Sequence, residues 1–327
     1  MKVNSNYDND ISFKGFYNNK LLKKGLEFAA NNGALFAAAT TLTLSTCVRP
    51  FVILATPKVN PEDKKVACAK SVTSSLIGYA IMLLASKPVS RAISNIDKNP
   101  EKYLQKKTIK NLKENSKKLT ESKAYEFSTQ IFKLGIGALV AAPKAILTAL
   151  GLPYVMQALF NKEVPKNDNN KGEISFRGKG KNNLSKGIAK LINNNKFQDF
   201  STKYKDSNFP MHIMAATDAL TTSTFIHQTK HSSKIDEGRK KPLIYNAFIS
   251  TTLSIAAGYG LDKLLDKPTE KFINKFKDAN KNDKKLNKYI EGIKIAKPIL
   301  ILGGVYYIII PFISTLMAEI TNNRNKL

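Results

Sequence analysis

Residues 298–318 read PILILGGVYYIIIPFISTLMA, twenty-one apolar, aromatic or small residues without a single charge. A helix needs roughly 20 mostly apolar residues to cross the hydrocarbon core of a bilayer, and this stretch supplies them. Five more stretches surround it. Segments 33–56 and 134–160 each carry one charge, Arg49 and Lys144, and 242–261 carries none. Segment 71–86 is short unless Lys70 and Lys87 snorkel to the two interfaces. Segment 210–229 is the weakest, being interrupted by His212, Asp218 and His227. The pattern predicts an all-α, polytopic helical membrane protein in a plasma or inner membrane. A soluble helical protein with core helices apolar all round is the competing reading, and a mean hydropathy of −0.25 fits it.

Lys- and Asn-rich stretches separate these segments. The 327 residues hold 52 Lys+Arg against 25 Asp+Glu, a net charge of +27. Only five of the basic residues are Arg, and few aromatics are interleaved with the basic runs. Both points argue against a nucleic-acid surface. The loops instead suit water, anionic headgroups and protein partners. Two cysteines exclude a disulfide scaffold. Cys47 and Cys68 flank the 57–65 loop at different depths, so no bridge between them is expected. No HExxH, P-loop, GxGxxG or GxSxG pattern is present. No cofactor or metal site is expected, and nothing names a reaction.

The chain also reads as duplicated. Ile11-Ser12-Phe13-Lys14-Gly15 recurs as Ile174-Ser175-Phe176-Arg177-Gly178. Leu22, Lys24, Gly25, Leu26, Asn31 and Asn32 match Leu184, Lys186, Gly187, Ile188, Asn193 and Asn194. Further matches join Leu42-Thr43 to Leu220-Thr221, Ser74, Gly78 and Tyr79 to Ser254, Gly258 and Tyr259, Lys87-Pro88 to Lys267-Pro268, and Pro153 to Pro311. The spacing changes only in polar loops, as a duplication allows. Residues 1–160 and 161–327 are then two tandem repeats. Each is a basic amphipathic helix (16–31 or 181–194) followed by three hydrophobic segments. Residues 20–47 resemble a signal peptide, but their recurrence at mid-chain makes 33–56 a retained helix.

The third segment of each repeat contains helix breakers: Pro143 and Pro153 in one, Pro298 and Pro311 in the other. If all six segments cross, the basic residues split 23 against 23 and the repeats are inverted. If the third segments do not cross, the split is 38 against eight and the repeats are parallel. The apolarity of 298–318 favours six crossings. The positive-inside rule favours the second arrangement. That second arrangement places the basic loops mostly in the cytoplasm, which is the expected location, whereas the even split gives no orientation.

A charge within a membrane segment costs at least ~2.5 kcal/mol and is often functional. Arg49, Lys144 and Asp218 therefore stand out, with Arg49 and Asp218 expected to pair across the repeats. The competing reading has Arg49 and Lys144 snorkelling and Asp218 capping a helix. His227 and His231, spaced i, i+4, have the geometry of a two-ligand metal site but lack a third ligand. Ser74/Gly78 and Ser254/Gly258 form small-xxx-small pairs that would pack the second helices together. The Ser/Thr runs either line a polar pathway or bond their own helices. Three function classes follow: a membrane-anchored scaffold, a small two-repeat transporter or channel with Arg49 and Asp218 in its pathway, and a soluble or peripheral binder of anionic partners.

Overall fold

The computed structural model describes residues 14–55, 61–160, 183–232, 235 and 237–311. Every regular element among them is a helix. In chain order these are α1 (Lys14–Tyr17), α2 (Lys20–Asn31), α3 (Gly33–Thr43), α4 (Arg49–Ala55), α5 (Pro61–Lys98), α6 (Pro100–Tyr103) and α7 (Lys106–Lys113). They continue with α8 (Lys123–Phe160), α9 (Asn183–Ile192), α10 (Asn195–Tyr204), α11 (Phe209–His231), α12 (Glu237–Leu264), α13 (Asp266–Ala279) and α14 (Leu286–Gly304). A π-turn, Leu44–Val48, joins α3 to α4, and another, Val305–Ile309, continues α14. Segments 71–86, 134–160, 210–229 and 242–261 each fall in one helix, 33–55 runs through α3, a π-turn and α4, and 298–311 ends α14 and its π-turn continuation, with 312–318 outside the described residues. Four stretches are long and apolar enough to cross a membrane: Gly33–Ala55, Ala67–Lys98, Lys123–Gly151 and Leu286–Ile309.

The prolines do not break the helices where expected. α8 continues through Pro143 and Pro153, and α14 through Pro298. A missing donor is tolerated when neighbouring helices pack round the site, and Pro298 is buried in that way. Irregular turns lie just ahead of Pro50 and Pro311, so of the four expected breakers Pro311 alone sits beside one. A proline ring crowds the carbonyl four residues back. Those carbonyls belong to Thr46 and Tyr307, and each sits inside a widened π-turn that relieves the crowding.

Local signals fix the corners between helices. Asn19 caps α2 by accepting from the Leu21 and Leu22 amides at 2.8 and 3.2 Å, and Asn194 caps α10 by accepting from Phe197. Asn32 turns the chain from α2 into α3, and its Oδ1 accepts from Ser90 at 2.6 Å. Asn193, the counterpart of Asn31 and next to the cap Asn194, accepts from the Gln105 amide and donates to the Tyr103 carbonyl. The Asn-Asn pairs noticed in the sequence thus anchor two corners.

Pair contacts set the helix directions. α5 runs antiparallel to α3, with Ser90 beside Asn32, and antiparallel to α8, with the Tyr125 hydroxyl donating to Asp97 at 2.7 Å. α8 and α11 run parallel: the Phe127 and Phe209 rings lie 5.0 Å apart, and further along Ala145 packs on Phe225. α11 and α12 are antiparallel, joined by Asn208 to Asp262 at one level and by Thr222 to Thr251, 2.7 Å apart, at another. α14 runs parallel to α3, with Ile295 level with Gly33 and Gly303 level with Leu44. So α3, α8, α11 and α14 point one way, and α5 and α12 the other. The three long helices of the first half of the sequence therefore follow the same order of directions as those of the second, an order that an inverted repeat would reverse.

The Lys-rich helices gather at one end of the bundle. There α9 packs on the end of α5 through Ile188, Ile192, Ile93 and Ile96. In the matching place α2 packs on α13 and α14 through Leu26, Phe276 and Ile293. The apolar faces of α2 and α9 are therefore covered largely by protein, with Lys20, Lys24, Lys186 and Lys190 facing outward. α2 and α14 approach so closely that a Cβ at Gly292 would stand 2.1 Å from the Leu26 carbonyl oxygen. Beneath this contact a buried ion pair crosses between the halves. Lys133 Nζ lies 3.3 Å from Glu291 Oε1, with side chains 4% and 5% exposed, and Lys288 holds the other carboxylate oxygen at 3.1 Å.

Candidate functional site

Halfway along the bundle the interior turns polar. Two cavities of about 70 and 120 Å³ lie there, and Lys144, Asp218, Thr41 and Thr221 line both. The larger is also bounded by Ser74, Thr222, Thr251, Ser254, Tyr306 and Tyr307. Helical periodicity explains how one chamber collects these groups. On α12, Ser250, Thr251, Ser254 and Gly258 share the buried face, at the i, i+3, i+4 spacing that aligns side chains. On α11, Thr217, Thr221 and Asp218 fall on neighbouring inward positions.

Most hydroxyls in this region bond their own helix. Thr217 donates to the Ile213 carbonyl, Thr221 to Thr217 and Thr148 to Lys144, all at 2.7–2.8 Å. Such back-bonding satisfies a buried hydroxyl locally. Ser254 differs. It is 2% exposed, and its Oγ has no hydrogen-bond partner among the described residues.

Gly78 serves Lys144. A Cβ there would stand 2.8 Å from Lys144 Cε and 3.4 Å from its Nζ, so the lysine stem lies directly over the glycine and would have to shift for any side chain there. Gly258 makes room instead for Leu302 and Met211. α5 packs mainly on α3 and α8, and α12 mainly on α11 and α14. The expectation that these small residues join the second helices to each other is corrected: each admits a large side chain from a different helix.

The expected Arg49–Asp218 pair is also corrected. Asp218 shares its cavities with Lys144, and their charges act on each other without a contact ion pair. Arg49 opens α4, and its guanidinium lies 4.8 and 5.5 Å from the Tyr306 and Tyr307 ring centroids. A cation over an aromatic face is attracted by the ring quadrupole, so Arg49 backs the tyrosine wall. The two π-turns make this contact, one delivering Arg49 and the other the tyrosines. Lys70 lies 3.9 Å from the Phe225 ring centroid, beyond the same wall.

His227 is exposed, and His231 Nδ1 lies 2.8 Å from the His227 carbonyl oxygen. Among the described residues no three His, Cys, Asp or Glu side chains group to hold a metal ion. Cys47 and Cys68 are free thiols.

A larger cavity, about 390 Å³, opens at the Lys-rich end between the two halves. Its wall includes Lys123, Glu126, Asp206, Asp266, Lys294 and Lys297. Lys123 bonds Asp206 at 2.6 Å and holds that carboxyl below the usual range. Lys297 reaches Asp266 at 2.5 Å and Asp262 at 3.0 Å. No local pattern in the sequence marks this cavity or the Lys133–Glu291 pair. Their residues flank the hydrophobic segments in ordinary loop-like composition, and only packing brings them together. No protein family, curated protein or solved structure matches the chain.

Proposed function

We propose that this chain is an integral membrane protein of two tandem halves whose bundle interior binds and passes a small polar solute, as a carrier or channel. The inverted polarity of the helices carries this reading. α12 turns Ser250, Thr251 and Ser254 inward, while Phe248, Ile249 and Leu253 are 58%, 49% and 38% exposed. Leu84, Leu139 and Leu300 face outward at 76%, 79% and 55% on three other long helices. A protein stabilised by water would tend to place these groups the other way round. Outward leucines beside an inward Lys144–Asp218 chamber suit a lipid surround, where an internal charge faces the bundle or a water-filled cavity.

Reciprocal packing supports the duplication. α14 lies along α3 as α8 lies along α11, and α2 on α13 matches α9 on the end of α5. The Lys-rich helices α7, α9, α10 and α13, gathered at one end, support an orientation in which the positive-inside rule makes that end cytoplasmic.

A second reading, a membrane-anchored scaffold, is favoured by one observation. The exposed lysines of α2, α7, α9 and α13 all lie at that one end, where they would meet anionic headgroups or an acidic partner.

Two measurements test the proposal. The protein should stay in the pellet after carbonate washing, and release into the supernatant would return it to the soluble class. In proteoliposomes Lys144→Met and Asp218→Asn should each abolish most solute flux. Flux indifferent to both substitutions, or absent from the wild type, would favour the scaffold.

A further inference from the structure

The chamber presents two opposite charges that face one small volume without touching. In a low-dielectric interior a lysine and an aspartate gain by closing to contact. Here packing keeps them apart. The Lys144 stem lies across Gly78 on α5, and Asp218 is carried by α11 on the opposite wall. We propose that the chamber is a binding site for a small zwitterion of the α-amino-acid type, its carboxylate held by Lys144 and its ammonium by Asp218. This rests on the reading of the chamber as a solute site and names the solute class.

Charge balance selects the ligand. A simple anion on Lys144 would lie against the Asp218 carboxylate, and a simple cation on Asp218 would meet the Lys144 ammonium. A ligand carrying both groups leaves neither side chain unpaired in a buried site, where an unpaired charge is costly. Arg49 lines neither cavity and is engaged by the Tyr306 and Tyr307 rings, 4.8 and 5.5 Å away.

The remaining walls agree. Ser254 Oγ is buried and unpartnered beside the larger cavity, so a hydroxyl donor is available to a carboxylate oxygen. A buried polar atom without a partner calls for one. The Thr222–Thr251 pair offers a second polar edge. Met214, Ile299 and Leu302 supply an apolar side for a short aliphatic group. Volumes of about 70 and 120 Å³ restrict the occupant to a few heavy atoms.

The test uses the full chain in lipid nanodiscs, with binding of radiolabelled L-alanine competed by unlabelled glycine, propionate or ethylamine. Glycine should compete, while propionate and ethylamine at equal concentration should not. Lys144→Met and Asp218→Asn should each weaken alanine binding about tenfold or more, as loss of a charged hydrogen bond does. Gel filtration checks each variant. Should either fail to fold, Ser254→Ala and Thr222→Val, which keep both charges, should still weaken binding measurably. Propionate competing as well as glycine, with Asp218→Asn unaffected, overturns the zwitterion but leaves a solute site standing. No alanine binding, or alanine binding that every variant retains, also overturns it. If flux in proteoliposomes is then also indifferent to Lys144 and Asp218, the solute-site reading falls with it.

Discussion

Removing Lys133 would leave the Glu291 carboxylate buried between the halves with half its charge compensation gone. Both side chains are at most 5% exposed, and among the described residues the other ammonium in contact is that of Lys288, 3.1 Å from the second oxygen and 30% exposed. Breaking a buried pair by deleting one partner typically costs ~3–5 kcal/mol, because the remaining charge is uncompensated. Lys288 persists, so Lys133→Met should fall at the lower end, about 3 kcal/mol. Glu291→Leu leaves Lys133 only the more distant carboxylates of Asp97 and Glu126 and should cost about as much. The double variant replaces the pair with apolar groups of similar size. That exchange is often neutral in other proteins, so the double should be markedly more stable than either single, with a coupling of about 1–3 kcal/mol. Thermal unfolding in detergent, followed by loss of the monodisperse species and of helical circular dichroism, would measure all four proteins. Singles within about 0.5 kcal/mol of wild type, or strictly additive costs in the double, would refute the reasoning.

Further predictions follow from the same packing. Gly292→Ala should destabilise by about 1–3 kcal/mol or more through its collision with the Leu26 carbonyl, whereas Gly187→Ala, with nothing within 4 Å, should be neutral or slightly stabilising; equal melting temperatures for the two would contradict the α2–α14 contact. Asp283 accepts from the Lys285 amide at 3.0 Å and from Lys23 at 3.1 Å, which holds its carboxyl below the usual range. Its stabilisation is therefore present above the unfolded carboxylate pKa and lost as pH falls through the lower folded value. Between about pH 5 and pH 3 the melting temperature should fall less steeply in Asp283→Asn than in wild type. Single cysteines placed at 106–113, 195–204 and 266–279 should all be labelled from the same side of the membrane in intact cells. Labelling of 106–113 and 195–204 from opposite sides would reject the parallel halves.

Helix type and position were well marked in the sequence. Apolar runs near twenty residues long, and Asn at the corners, act within a few residues of one another, so their effect is readable along the chain. Arg49, Lys144 and Asp218 were marked for the same reason: a charge is conspicuous in an apolar run. Their partners were not marked. The expected Arg49–Asp218 pair rested on each charge occurring in only one half, but Arg49 lies against Tyr306 and Tyr307. Pro143 and Pro298 were expected to break helices, because a proline's effect was judged from its own helix alone. Surrounding helices decide whether the lost hydrogen bond is tolerated.

By itself the sequence determined that the chain is helical, that six segments are apolar, and which few residues place charge among them. Those properties depend on the 3.6-residue period and on local composition. Tertiary structure alone decided that the halves run parallel, that Gly78 exists for the Lys144 stem, and that Lys144 and Asp218 face one chamber without closing on each other. Each of those outcomes depends on which helices become neighbours. That choice is fixed by the fit of side chains across interfaces between residues up to some 260 positions apart, such as Lys23 and Asp283, and no local pattern records it.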